Sequence, residues 1–206
     1  MATILGVSGS PVANSNTDRL IKLILEETEQ DSEFIKLSNY DLHPCQACLG
    51  CVEDNICKQN DDWQELEPKL KEAEGFVIGS YAPYDILDAH TKIFIERMYA
   101  LRHQKLLNNG KAIISIALGQ PESNSAQQAI EQINNFAEHE GMEVVASIKA
   151  QGTSTCVACG YGTDCAIRST DKETIKQQEY NQIEEQPQVL EQARQAAQKI
   201  SKNLSK

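Results

Sequence analysis

Residues 3–17 read Thr-Ile-Leu-Gly-Val-Ser-Gly-Ser-Pro-Val-Ala-Asn-Ser-Asn-Thr. Thr3–Ser8 is a short apolar run suited to a buried strand. It enters a turn of Gly, Ser and Pro, and from Thr17 to Glu29 the residues Leu20, Ile21, Leu23, Ile24 and Leu25 fall at helical spacing. Ser15 and Asn16 suit the start of that helix, because their side chains can accept from first-turn N–H groups that lack a helical partner. A strand, a polar turn and a helix start open an α/β unit, and the unit repeats. Strands are expected at 34–37, 76–79, 112–118 and 144–148. Helices are expected at 63–73, with Asp62 and Glu65 as a capping box, at 89–107 and at 126–139. Asn108, Asn109 and Gly110 are expected to end the helix at 89–107, Gly110 suiting a left-handed C-cap, and Gly141 to end the helix at 126–139. Five strands alternating with helices predict an α/β, doubly wound sandwich around a five-stranded parallel sheet.

A length of 206 residues favours one domain over 1–206. Within it stand a cysteine loop at 43–58, a second cysteine loop at 151–168 and a polar tail at 172–206. In the tail, Val189, Leu190, Ala193, Ala196, Ala197 and Ile200 can line one helical face that closes over the sheet. The formal net charge of −11 disfavours nucleic acid and anionic membrane as partners. No stretch approaches the roughly 18 apolar residues of a spanning helix. The opening MATILGVSGS lacks the basic region and long apolar run of a secretory signal. Seven cysteines in this setting imply reduced thiols and a cytoplasmic protein.

Cys45, Cys48, Cys51 and Cys57 form C-x2-C-x2-C-x5-C within thirteen residues. Three thiols two residues apart can wrap one face of a cubane while a short loop returns the fourth, so the spacing predicts a [4Fe-4S] cluster, with a zinc knuckle or unrelated thiols as alternatives. His43 is placed either to orient this loop or as a turn residue of no special role, and Trp63 reads as a core or interface aromatic beside it. Cys156, Cys159 and Cys165 repeat the opening and closing spacings and predict a second site, iron–sulfur or zinc, with reactive or unligated thiols as the alternative. Strands two and five lie on opposite edges of the expected sheet, so the two cysteine groups should form separate sites. Nothing singles out one thiol as a nucleophile, so no catalytic side chain is assigned.

The turn after the first strand is neither G-x-G-x-x-G nor a P-loop. It gathers hydroxyls around a helix N-terminus, where free N–H groups and the helix dipole suit a phosphate, although such turns also occur simply as caps. Ligands in open α/β sheets sit beyond the carboxyl ends of the strands, and the cysteine loop and the loop at 81–85 emerge at that same edge.

The segments GVSGSP with SNT at 6–17, PCQACLGC at 44–51 followed by Cys57 and DDW at 61–63, and GSYAPYDILDAHTKIFIER at 79–97 resemble the flavodoxin-like NADPH-dependent FMN reductases, in particular their iron–sulfur flavoprotein branch. The resemblance covers roughly residues 1–150. It implies that Ser8, Ser10, Ser15, Asn16 and Thr17 form an FMN phosphate loop and that Ser80, Tyr81, Ala82, Pro83, Tyr84 and Asp85 flank the isoalloxazine. Ala117, Leu118 and Gly119 would form a third flavin loop. Val12 stands where the family often has arginine, Tyr81-Ala82-Pro83-Tyr84 shifts the aromatic of the second loop, and the third loop lacks the usual run of small residues.

The function expected is an FMN- and iron–sulfur-dependent oxidoreductase or electron-transfer flavoprotein, passing electrons between FMN and the cluster to an unidentified acceptor. It would be a homodimer or homotetramer, with a redox partner such as a ferredoxin. The alternatives are an NAD(P)H-dependent flavin or quinone reductase with structural zinc, and a non-catalytic metal- or redox-sensing interaction protein.

Overall fold

β1 (Thr3–Ser8) is apolar on both faces, and such a strand is satisfied in the middle of a parallel sheet covered on both sides. It pairs in parallel with β2 (Asp31–Lys36) on one side and β3 (Gly75–Tyr81) on the other. β4 (Ala112–Gly119) and β5 (Glu143–Gln151) extend the sheet, giving the order β2-β1-β3-β4-β5. The computed structural model describes residues 3–120, 123–153, 159, 161, 165–166 and 182–205. This is the flavodoxin-like sandwich that the strand–helix alternation predicts, with β2 and β5 at opposite edges.

The crossovers distribute the helices between the two faces. α1 (Asn16–Glu27) covers one face. α2 (Trp63–Glu72), α3 (Ala89–Arg97), α4 (Tyr99–Arg102) and α5 (Ser125–His139) belong to the other, and α6 (Pro187–Leu204) returns to the α1 face. One core holds Leu5, Val7, Trp63, Phe76 and Phe94, and the other holds Ile4, Ile21, Val77, Ile114 and Ile200. Gly6 and Gly79 let α1 approach closely: a Cβ on Gly6 would stand 2.5 Å from Ile21 Cγ2, and one on Gly79 would stand 2.8 Å from Thr17 Cγ2.

Several local expectations hold. Ser15 is the N-cap of α1, its side chain accepting from Asp18 N while the Asp18 carboxylate accepts from Ser15 N. Gly110 takes a left-handed φ of +81°, though well past the end of the helix at Arg102 and so not as its C-cap, and Gly141, just after α5, takes +69°. Two expectations are corrected. Asp62 makes no side-chain cap to α2, because its Oδ2 accepts from Asp41 N at 2.6 Å instead. The helix expected over 89–107 divides at Met98 and ends at Arg102. Residues beyond it serve the cysteine loop: the His103 carbonyl accepts from Asn55 Nδ2 at 2.6 Å.

α6 packs on α1, β4 and β5 and buries Val189, Ala193, Ala196, Ala197 and Ile200, the face read from the tail sequence. Among the described residues no helix is long and apolar enough to cross a membrane. Ile200 is fully buried against both the sheet and α1. Ile200→Ala should therefore lower stability by about 2–5 kcal/mol, read as a drop in the urea midpoint at unchanged m-value.

Candidate functional site

The carboxyl ends of β1, β3 and β4 meet where the strand order reverses, and three segments rise from them. The first is the turn after β1. Ser8 and Ser10 are buried, and the Ser8 hydroxyl donates to Asp18 Oδ1 at 2.6 Å. Ser10 Oγ accepts from Val12 N at 3.3 Å. Ser15 caps α1, Thr17 is buried in its first turn, and the Asn16 side-chain oxygen accepts from Arg19 at 2.5 Å and from Ile183 N at 3.2 Å. The Ala13 and Thr17 N–H groups meet no acceptor among the described residues.

The second segment follows β3. Ser80 is buried and its hydroxyl donates to Asp88 Oδ2 at 2.6 Å. Asp88 caps α3 by accepting from Thr91 N at 2.9 Å and from the Thr91 hydroxyl at 2.6 Å. Burial raises the Asp88 carboxyl above its ordinary pKa, against the lowering effect of these hydrogen bonds. A Cβ at Gly9 would overlap Asp88 and Thr91, so only glycine lets the β1 turn close on the α3 cap. Tyr81 is exposed, and Ala82 N donates to Leu118 O at 3.0 Å, tying this segment to β4. Pro83–Asp85 forms a 3-10 turn in which Tyr84 and Asp85 adopt φ of +52° and +63°. The Tyr84 side chain is 99% exposed.

At the third position Ala117 and Leu118 point into the two cores, so any contact they make with a ligand runs through the backbone. Gly119 O accepts from Gly152 N at 2.8 Å.

The cysteine loop leaves β2 and is pinned by side chains from α2 and α3 and by a backbone carbonyl of α4. Arg97 of α3 is paired with Asp61, both side chains being almost wholly buried. The same guanidinium donates to His43 O at 2.9 Å and to Cys57 Sγ at 3.3 Å, and lies over the Trp63 ring at 5.1 Å. Burial alone would raise Asp61, but hydrogen bonds from Arg97, His43 N and Trp63 N, with the Arg97 charge, bring it down to about 2. Glu67 accepts from Trp63 Nε1 at 2.8 Å and from Cys57 N at 2.9 Å, and buried Asn55 bonds the Ala100 and His103 carbonyls. It is the His43 backbone, more than its exposed ring, that orients the loop.

These anchors correct the metal expectation. Among the described residues no group of three or more His, Cys, Asp or Glu side chains is placed to hold a metal ion. Cys45 and Cys48 are exposed, whereas Cys57 packs against the core and accepts from Arg97. Burial, with the neighbouring thiols, raises Cys51 and so disfavours its thiolate. The [4Fe-4S] cluster expected at Cys45, Cys48, Cys51 and Cys57 is therefore not supported. Nor is the cluster or zinc expected at Cys156, Cys159 and Cys165: Cys159 is exposed, Cys165 half-buried, and Cys156 lies outside the described residues. Electron passage from FMN to a cluster, and structural zinc, fall with these sites.

With the strand ends and their loops in place, comparison with known proteins gives the family. The model of the NADPH-dependent FMN reductases matches residues 2–153. The chain belongs to that family. It is 33% identical over 136 residues to a protein named iron-sulfur flavoprotein from Methanocaldococcus jannaschii, covering 65% of this chain and 70% of that one. Among solved structures it is similar to RosB with bound 8-demethyl-8-formylriboflavin-5'-phosphate, at a TM-score of 0.71 and 13% identity, covering 100% of this chain and 79% of that one. An azoreductase from Bacillus anthracis superposes with a TM-score of 0.64 at 14% identity, covering 97% of this chain and 100% of that one. At such identities the two structures speak for the fold, and the family match for an FMN-dependent oxidoreductase.

Sequence reading did not single out Asp18, Lys36, Asp61 or Asp88. The Ser15-x-x-Asp18 spacing of a capping box marks Asp18 in the sequence, and an arginine at position 97 within an apolar helix face signals a buried partner. Arg97→Met should destabilise the protein by about 3–5 kcal/mol, because Asp61 is left buried without its cation, and adding Asp61→Asn should recover part of the loss in urea unfolding. Since Asp61 is held below its ordinary 3.8, the stability it contributes is present above that value and is lost as pH falls through about 2. Asp61→Asn should flatten that acid limb.

Proposed function

We propose that this family member binds FMN non-covalently at the turn after β1 and uses it to carry reducing equivalents from NAD(P)H to a flavin or quinone acceptor. The observation that carries the reading is the convergence of donors there: the unpartnered Ala13 and Thr17 N–H groups, the N-terminus of α1, and the Ser10 and Ser15 hydroxyls, whose oxygens already accept from Val12 N and Asp18 N. The residues fit a phosphorylated flavin. Ser8, Ser10, Ser15, Asn16 and Thr17 would surround the phosphate. Ser80 and Tyr81 to Asp85 would border the ring, Tyr84 supplying an aromatic face with no protein neighbour, and the backbone of Ala117, Leu118 and Gly119 would meet the far edge. Bound FMN would supply two-electron exchange with a nicotinamide, which needs no protein nucleophile.

The rest of the chain supports the same reading. α6 completes the α1 face, so residues 1–206 are proposed as one domain. Exposed Val12, Tyr84 and Ile86 rise from the loops beside the site and favour assembly as a homodimer or homotetramer. A small redox protein such as a ferredoxin is a candidate partner, in the cytoplasm where seven thiols stay reduced.

Titrating the protein with FMN while following flavin fluorescence tests the site, and NADPH oxidation with a quinone acceptor tests the activity. Saturable binding, with FMN-dependent oxidation, is expected. Ser10→Asp should weaken FMN by at least about tenfold, because its carboxylate would face the phosphate. Wild-type protein that shows no saturable FMN binding would overturn the reading.

A further inference from the structure

Lys36 ends β2, and the parallel register sets it beside Ser8, the last residue of β1. Its ammonium donates to the carbonyl oxygens of Ser10 and Val12, both at 2.8 Å, and to the two Asp18 oxygens at 2.9 and 2.7 Å. The side chains of Lys36 and Asp18 are 12% and 2% exposed. The turn over 9–17 contains no lysine or arginine. The next basic residue, Arg19, is engaged with Asn14 O, Asn16, Gln182 and Glu184. The carboxylate beneath the turn is thus answered by a cation from the neighbouring strand.

Two consequences follow from this geometry. A bare Asp18 would set a buried negative charge under the place where an anion binds, and Lys36 cancels it. The contact with Val12 O also fixes a peptide plane. In a trans peptide the N–H points opposite to the carbonyl, so holding Val12 O toward β2 aims the Ala13 N–H away from β2, where it meets no acceptor among the described residues. Pro11, which follows the other bonded carbonyl, has no N–H to aim.

Resting on the flavin reading above, we propose that Lys36 is a positioning residue for the flavin phosphate. It does not ligate the phosphate. It neutralises Asp18 and orients the Val12–Ala13 peptide, and in this way the turn selects FMN over riboflavin.

The test is a cycle of variants titrated with FMN and, separately, with riboflavin, each followed by flavin fluorescence. Lys36→Met should weaken FMN on the order of tenfold or more while changing riboflavin by less than about threefold. Lys36→Met combined with Asp18→Asn should regain most of the FMN affinity, since the uncompensated charge is gone, the amide oxygen still accepts from Ser15 N, and the amide NH2 donates to a Ser8 hydroxyl turned to accept it. Asp18→Asn alone leaves Lys36 without its carboxylate and should hold FMN at least as tightly as wild type, which keeps the idea testable should Lys36→Met fail to fold. Equal FMN affinity in wild type and Lys36→Met, parallel loss of both flavins without rescue, or weaker FMN binding by Asp18→Asn would each overturn the role of Lys36 while leaving the flavin site standing. Wild-type protein that binds neither flavin would instead overturn the site itself, and this inference with it.

Discussion

The closeness of α1 to the sheet governs the rest of the structure. Gly6 and Gly79 leave room for Ile21, Leu25 and Thr17 to lie against the backbone of β1 and β3, and this sets the height at which the helix begins. Had either strand carried a side chain there, α1 would stand off, and Ser15, Thr17 and Asp18 would no longer cluster over the end of β1. Gly9 does the same job at the other contact, bringing the β1 turn onto Asp88 and Thr91. The β1 turn thus packs on a buried carboxylate that ties the end of β3 to α3 by accepting from Ser80 and Thr91, and Gly9 N donates to Gly79 O at 2.9 Å. The site is precise because the packing beneath it has little freedom.

What the chain reveals in one dimension follows from the range of the interactions. β1, α1, the Ser15 cap and the left-handed φ of Gly110 depend on neighbours within a few residues, and they could be read directly. The face of α6 was legible because Val189, Ala193, Ala196, Ala197 and Ile200 repeat at helical spacing. The early end of the long helix at Arg102 was not, since the Ala100 and His103 carbonyls are taken by Asn55 from a distant loop. Lys36 escaped notice for the same reason: only the parallel register of β2 against β1 brings it to Ser8 and Asp18.

The cysteines teach a different lesson. Spacing records which thiols are close along the chain but not how the backbone turns each of them, and Ala47, Leu49 and Asn55 all take left-handed φ within this loop. Arg97 and Glu67 draw Cys57 inward by its sulfur and its N–H, while Cys45 and Cys48 face solvent. A ligand pattern in sequence is a statement about composition, and the anchoring residues outside the pattern decide what becomes of it.

The loop over 43–61 is fastened from outside itself, by Arg97, by Glu67 and by the carbonyls of the α4 turn, while its exposed middle bonds chiefly to itself. It is therefore close to a cassette. Lengthening or rewriting the middle would raise the entropy of closure only slowly with each added residue, whereas the fastenings are fixed in α2, α3 and α4. Chains sharing this scaffold could then carry very different loops at this edge of the sheet, with the sandwich beneath them unchanged.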